Sequence, residues 1–284
     1  MHDSLQAAYQ HCMRLTRSHY ENFPVASHLL PRALRTPVSV IYAFARRADD
    51  VADEGELDPA ERLAQLDEYW RQLDAIAAGQ TTTTDPIFIA LADVVRRHAL
   101  PLPLLYDLLA AFRQDVTKSR YADFDEVLAY CRSSANPIGR LVLHLSGDAS
   151  AENLRDSDKI CTALQLINFW QDLEQDYLES GRVYLPQDEL AAYGVAEDQL
   201  GRRGNSPALR ELMDKQIERS RRLLLDGAPL GARLRGRLGV EIRATIHGGL
   251  YVLDALTRRR DDVFARPRLR RRDWLRILSR ALIP

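Results

Sequence analysis

The chain predicts an all-α fold, and three observations carry that prediction. Apolar residues recur at spacings of three and four through nine stretches, the signature of helices that each turn one face to a core. Clusters of Pro, Gly, Ser, Thr and Asp separate the stretches where helices must end. No run alternates apolar and polar residues for long enough to make a strand; "RVYLP" at 182–186 reads at most as a short extended piece.

The helical stretches are 5–15, 38–52, 60–77, 86–98, 102–116, 124–145, 153–178, 207–226 and 238–260. Between them lie "LPRALRTP" at 30–37, "AGQTTTTDP" at 78–86, "LPLP" at 100–103, "SGDASAEN" at 146–153 and "GRRGNSP" at 201–207. Asp58-Pro59 and Asp85-Pro86 read as N-caps followed by proline at the first helical position, where its missing N–H costs nothing. Neither an internal repeat nor a long linker divides the chain. A single all-α domain over residues 1–284, with about eight to ten helices, is expected.

The composition, 46% hydrophobic over 284 residues, suffices for a sizeable core. A net charge of -1 gives no global pull toward nucleic acid, and none is expected as a partner. The charge is unevenly spread, however. Residues 258–284 carry ten arginines against three aspartates, which points to a surface that meets the phosphates of a membrane, a partner or a substrate. Cys12, Cys131 and Cys161 form an odd set without CxxC spacing, which favours free thiols in a reducing compartment and excludes a cysteine-based zinc site. "MHDSLQAAYQHCMR" lacks the apolar core of a signal peptide, and no run reaches the 18 or so apolar residues of a membrane span. The protein is expected to be cytoplasmic, with peripheral contact at the inner face of the membrane left open.

Two motifs carry the chemistry. "ARRADDVADEG", 45–55, packs Asp49, Asp50, Asp53 and Glu54 behind the apolar run "VSVIYAF". On a helix Asp49 and Asp53 are i,i+4 neighbours that repel, and Arg46 one turn earlier offsets only part of the repulsion. In "ALQLINFWQDLEQDYLESGRVYLP", 163–186, Gln165, Asn168, Asp172 and Asp176 form one polar stripe among Leu164, Leu166, Ile167, Phe169 and Trp170. A polar stripe with bulky apolar flanks suits a cavity better than bulk water. Two helices that each offer an Asp pair across such a cavity suit Mg²⁺, which binds through one or two carboxylates and keeps its other positions for water and substrate phosphate. Such a site can turn a diphosphate into a good leaving group and hold the resulting carbocation within aromatic walls. Phe23, Phe44, Phe169 and Trp170 are candidates for that lining, or for the core. His19 could orient a phosphate or serve structure alone.

"IYAFARRADDVADE", "LQLINFWQDLEQD" and "GRVYLP" together resemble the squalene and phytoene synthase family, the head-to-head prenyltransferases. The resemblance implies an isoprenoid-synthase fold, a helical bundle around a central cavity. It implies Mg²⁺ held by Asp49, Asp53, Asp172 and Asp176 with help from Asn168, diphosphate contacts from Arg46 and Gln165, and closure of the site by Tyr184.

Three departures narrow the resemblance. "HYENFPVAS", 19–27, stands where the family usually has a Ser-basic-Ser-Phe stretch, which puts Glu21 in place of a cation. Gln171 replaces a common arginine. "YCRSSANPIG", 130–139, replaces Tyr-x-x-x-Val-Ala-Gly-x-Val-Gly, with Arg132 near the place of a tyrosine implicated in the cyclopropyl intermediate. All three look like the branch of bacterial hopanoid pathways that takes presqualene diphosphate to hydroxysqualene and need not join two farnesyl diphosphates. The polar run Arg132 to Asn136 could position the water. Two alternatives stay open: condensation of two prenyl diphosphates, and a non-catalytic helical module that binds membranes. No dinucleotide fingerprint for NADPH is present. "RPRLRRRDWLRILSRALIP" would set Trp274, Ile277, Leu278 and Leu282 on one helix face beside cations, either an anionic-membrane anchor or a helix docked on the protein's own core. Other enzymes of the pathway are the remaining partners to expect.

Overall fold

A computed structural model describes residues 2–18, 29–80, 83–267, 269 and 271–282. Fifteen α-helices and one short π-helix follow one another among them. The first seven are α1 (His2–Ser18), α2 (Arg32–Asp53), α3 (Pro59–Ala77), α4 (Pro86–His98), α5 (Pro103–Thr117), α6 (Phe124–Ser134) and α7 (Asn136–Ser146). Then come α8 (Ala151–Gln171), the single turn α9 (Leu173–Gln175), the π-helix Asp176–Ser180, and the short α10 (Gln187–Tyr193) and α11 (Asp198–Gly201). The chain closes with α12 (Pro207–Gly227), α13 (Pro229–Arg233), α14 (Gly236–Arg258) and α15 (Arg271–Ala281). Among the described residues there is no strand, only an isolated bridge between Arg120 and Val183, and no helix is long and apolar enough to cross a membrane.

Local chemistry explains the helix starts. Asp58 Oδ1 accepts from the Glu61 N–H at 2.9 Å while Glu61 Oε2 accepts from the Asp58 N–H at 3.1 Å, a reciprocal cap that satisfies two orphan donors at the head of α3. Asp85 caps α4 through the Ile87 N–H at 2.8 Å, and Ser206 caps α12 through the Leu209 N–H at 3.1 Å. In all three, proline follows at the first position.

Three boundaries differ from the periodicity. "LPRALRTP" reads as a breaker, yet α2 already begins at Arg32 with Pro37 inside it. Burial of Leu34, Pro37, Val38 and Ile41 offsets the hydrogen bond that Pro37 cannot donate. The stretch 124–145 is two helices, because Pro137 has no N–H to continue α6. The stretch 153–178 stops being α-helical at Asp172, and the short helices α10, α11 and α13 carry no periodicity long enough to read.

Contacts group the chain into two compact units, residues 1–117 with 137–154, and residues 118–136 with 155–284. In the first, α2 packs on α1, α3, α4 and α5. Phe44 is its anchor: fully buried, with ring centroids 6.2 Å from Tyr69 and 6.0 Å from Phe88. In the second, α14 packs on α12, α13 and α15. Trp170 is buried there and donates from Nε1 to Ser220 Oγ at 2.9 Å. Gly249 lets α14 approach closely, since a Cβ would stand 2.8 Å from Leu224 Cδ2 and 3.2 Å from Leu164 Cδ2. Phe44 and Trp170, both candidates for a cavity lining, are therefore core residues.

Candidate active site

In the first unit, the apolar face of α2 places Asp49 and Asp53 on its last turn, where helix carbonyls already concentrate negative charge. Arg46 answers with ion pairs to Asp50 at 2.7 Å, Asp49 at 3.4 Å and Glu54 at 2.7 Å. That is not enough for Asp49. Burial, then the charge of Asp53, push its carboxyl up to about 7 against the pull of Arg46, with Asp115 and Asp50 adding to the rise. Asp115, on α5 and buried, is a contributor that sequence reading missed; a lone acid within "AAFRQDVTK" gives no local sign of nearness to α2. Crowded carboxylates of this kind take up a proton or a cation.

In the second unit, α8 carries Gln165 and Asn168 and ends at Gln171. Asp172 has φ -112° and ψ 18°, close to the sparsely populated bridge region where active-site residues are often found. The N–H of Asp172 still reaches Asn168 O at 3.0 Å, and that of Asp176 reaches Asp172 O at 2.8 Å. Beyond this the backbone loosens into the π-helix that Asp176 opens and Gly181 closes at φ 66°. The straight stripe expected from the spacing is thus interrupted at its third member. Asn168 Oδ1 is buried without a hydrogen-bond partner among the described residues. Arg266 forks onto Asp172, Nε to Oδ1 at 2.8 Å and the terminal nitrogen to Oδ2 at 3.1 Å. Burial raises the Asp172 carboxyl above its usual range although Arg266 opposes the shift, and Glu179 adds to it. Arg266 was not legible as a site residue, because it lies in a run of similar arginines. Gln171, next to Asp172, is buried and donates to Pro267 O at 3.0 Å.

An aromatic wall belongs to the same unit. Tyr184 stacks on Phe169 with centroids 3.6 Å apart and an interplanar angle of 5°. Tyr130 joins both, 5.8 Å from Tyr184 and 6.1 Å from Phe169, and Tyr121 stacks on Tyr184 at 5.5 Å. All four side chains are buried. Tyr121 and Tyr130 were missed, although "YCRSSANPIG" opens on a tyrosine as the family pattern does. Two residues further, Arg132 is exposed on the last turn of α6, where a cation complements the helix carbonyls. Asn136 is buried, and its Oδ1 accepts from Thr162 Oγ1 at 2.9 Å. His19, Glu21 and Phe23 lie outside the described residues.

Among the described residues no three His, Cys, Asp or Glu side chains converge into a metal cage. The oxygen donors present fit Mg²⁺ rather than a softer metal: carboxylate pairs, and the unpartnered Asn168 oxygen one turn before Asp172.

The family profile of squalene/phytoene synthases matches residues 16–275. The hydroxysqualene synthase of Rhodopseudomonas palustris is 41% identical over 223 residues, 78% of this chain and 74% of that protein. The phytoene synthase of Mycobacterium tuberculosis is 38% identical over 191 residues, 67% of this chain and 61% of that protein. Among solved structures, squalene synthase HpnC from Alicyclobacillus acidocaldarius superposes with a TM-score of 0.83 at 37% identity, covering 91% of this chain and 96% of that one. A dehydrosqualene synthase at 21% identity gives 0.84 over 99% and 97%, which shows that the isoprenoid-synthase fold survives wide divergence. The chain belongs to the squalene/phytoene synthase family of isoprenoid-biosynthetic enzymes.

Proposed function

We propose that this chain converts presqualene diphosphate to hydroxysqualene and diphosphate. The observation that carries the reading within the family is Gln171. It stands where arginine is common, and its buried amide is engaged by Pro267 O, so no cation is offered there to a second prenyl diphosphate. Relatives at 37–41% identity named hydroxysqualene synthase support the same reading.

Asp49 with Asp53, and Asp172 with Asp176, are the residues that would hold Mg²⁺, with Asn168 Oδ1 as a neutral ligand. When bound, Mg²⁺ would screen the diphosphate and make it a better leaving group. Arg46 and Gln165 would bind diphosphate oxygens. The C–O bond breaks with its electron pair leaving on diphosphate. The cyclopropylcarbinyl cation rearranges, a water oxygen adds to it, and that water loses a proton. The faces of Phe169, Tyr184 and Tyr130 carry negative quadrupole charge that favours a cation and exclude stray water. The run Arg132 to Asn136 remains the proposed source of the water's position, acting through its backbone and serines, since Asn136 is engaged and Arg132 exposed. No hydride enters, so no NADPH is required.

The second reading, condensation of two prenyl diphosphates, draws support from the 38% identity to a phytoene synthase. Incubation with presqualene diphosphate and Mg²⁺ separates the two. The expected product is a C30 alcohol formed without NADPH, with ¹⁸O from solvent water in its hydroxyl, and farnesyl diphosphate alone yields little C30 product. Efficient conversion of farnesyl diphosphate to presqualene diphosphate or squalene would establish the second reading instead.

A further inference from the structure

The tail helix α15 docks on its own unit, and this changes which of its faces is available. Asp273, Ile277 and Ala281 are buried, and Arg243 Nε donates to Ala281 O at 2.7 Å. The face predicted to enter lipid, which includes Ile277, is therefore turned inward. The opposite side carries Leu275 and Leu282, 72% and 69% exposed, the two most exposed large apolar side chains among the described residues. They lie two turns apart on one crest, with half-buried Leu278 between them.

On the flank between crest and buried face, Arg276 and Arg280 meet a stripe of α14. Together with His247, Tyr251 and Arg258 they line a cavity of about 360 Å³. Its size is that of a small-ligand pocket. The cavity's one carboxylate, Asp254, is held by Arg221 at 2.8 Å, outside the lining. No ion pair to Arg258, Arg276 or Arg280 is found among the described residues. Arg258 instead lies 6.0 Å from the Tyr251 ring. Burial, then the nearby cations Arg280 and Arg243, hold His247 below its usual range, which agrees with a positive pocket.

We propose that this α14–α15 surface docks on an anionic phospholipid bilayer, with Leu275 and Leu282 entering the headgroup boundary and the arginine-lined cavity receiving a lipid phosphate. Cations flanking an apolar crest are the two components of interfacial binding. A second copy of the chain is a poorer occupant, since two such faces brought together would oppose arginine to arginine.

The test is cosedimentation of the full chain with vesicles of equimolar phosphatidylglycerol and phosphatidylcholine, against phosphatidylcholine alone. Pelleting is expected only with the anionic vesicles and falls steeply with salt. Arg276→Glu/Arg280→Glu lowers the partition at least twentyfold, on the order of fivefold for each cation removed and more for reversal. Leu275→Ser/Leu282→Ser lowers it roughly tenfold. Both double variants alter exposed positions, and unchanged thermal melts confirm their fold. Wild-type pelleting by either variant, or no pelleting by the wild type, overturns the proposal. So does full displacement by millimolar inorganic phosphate, which assigns the cavity to the free anion. A light-scattering mass that drops from dimer to monomer in the leucine variant, with pelleting unchanged, assigns the crest to a second copy. None of these readouts uses turnover, so they stand apart from the reaction proposed above.

Discussion

Arg266 and Asp172, ninety-four positions apart, close a two-point fork with contacts of 2.8 and 3.1 Å. A divalent cation at Asp172 would compete for the same oxygens. A charge-assisted pair at a partly buried carboxylate is worth about 1 kcal/mol after screening, or about fivefold in affinity. Arg266→Gln is therefore expected to lower the half-saturating Mg²⁺ concentration about fivefold in titration calorimetry of the free enzyme. Unchanged or weaker Mg²⁺ binding would show that Arg266 and the metal do not share the carboxylate.

Asp53→Asn and Asp172→Asn each should reduce turnover at least a hundredfold while helical circular dichroism stays intact, and EDTA should silence the wild type reversibly. Full activity in either variant would remove that residue from the metal-binding set.

Asp49→Asn should separate activity from stability. The folded carboxyl sits at about 7 against an ordinary 3.8, so ionisation is harder in the folded than in the unfolded chain. Stability from this group is complete below its ordinary value and is lost as pH rises through about 7. Solvent screening at this half-exposed side chain leaves about 1 kcal/mol, so the variant in EDTA at pH above 8 should melt roughly 2–4 °C higher while losing turnover. Equal melting temperatures across pH 4 to 9 would show that the crowding is relieved some other way.

The Phe169–Tyr184 stack should guard product identity more than rate. Tyr184→Leu removes about 1 kcal/mol of ring contact and leaves the cation a softer wall. Gas chromatography should then show a mixture of early-quenched alcohols and elimination products, whereas Tyr184→Phe, which keeps the stack, should retain a single product. A single product from the leucine variant would deny the wall its role.

Glu189, on α10, is buried and held by Arg219 at 2.6 Å, Lys215 at 3.1 Å and the Gln216 amide. Burial opposes its ionisation, but these partners prevail and keep the carboxyl below its ordinary 4.5. Its stabilisation is present above that value and lost as pH falls through the lowered one. Glu189→Gln should cost about 3 kcal/mol at neutral pH, a melting drop of roughly 6–12 °C, and the gap should close below pH 4. A gap independent of pH would mean packing, not charge, is responsible.

What could be read from the chain follows the range of the forces involved. Asp58-Pro59 and Asp85-Pro86 were legible because a cap is settled within four residues. Asp49 with Asp53 was legible because i,i+4 spacing survives wherever the helix goes. The turn of backbone at Asp172 was not, since its surroundings include Arg266 and Pro267, about a hundred residues away. Tyr121, Tyr130, Phe169 and Tyr184 meet only after three separate segments come together. The orientation of α15 is decided by α14, so its own apolar pattern fitted two opposite faces equally well.

The π-helix from Asp176 to Ser180 has a consequence for how this segment can vary in length. A turn of that kind holds one residue more than the α-helical turn it replaces. Deleting a residue there would restore α geometry cheaply, but it would swing everything downstream by roughly 100° about the helix axis. Gly181 would then leave its left-handed corner, and Tyr184 would be carried off Phe169. Substitutions at exposed Leu178 or Glu179 should be tolerated, while insertions and deletions between Asp172 and Tyr184 should not.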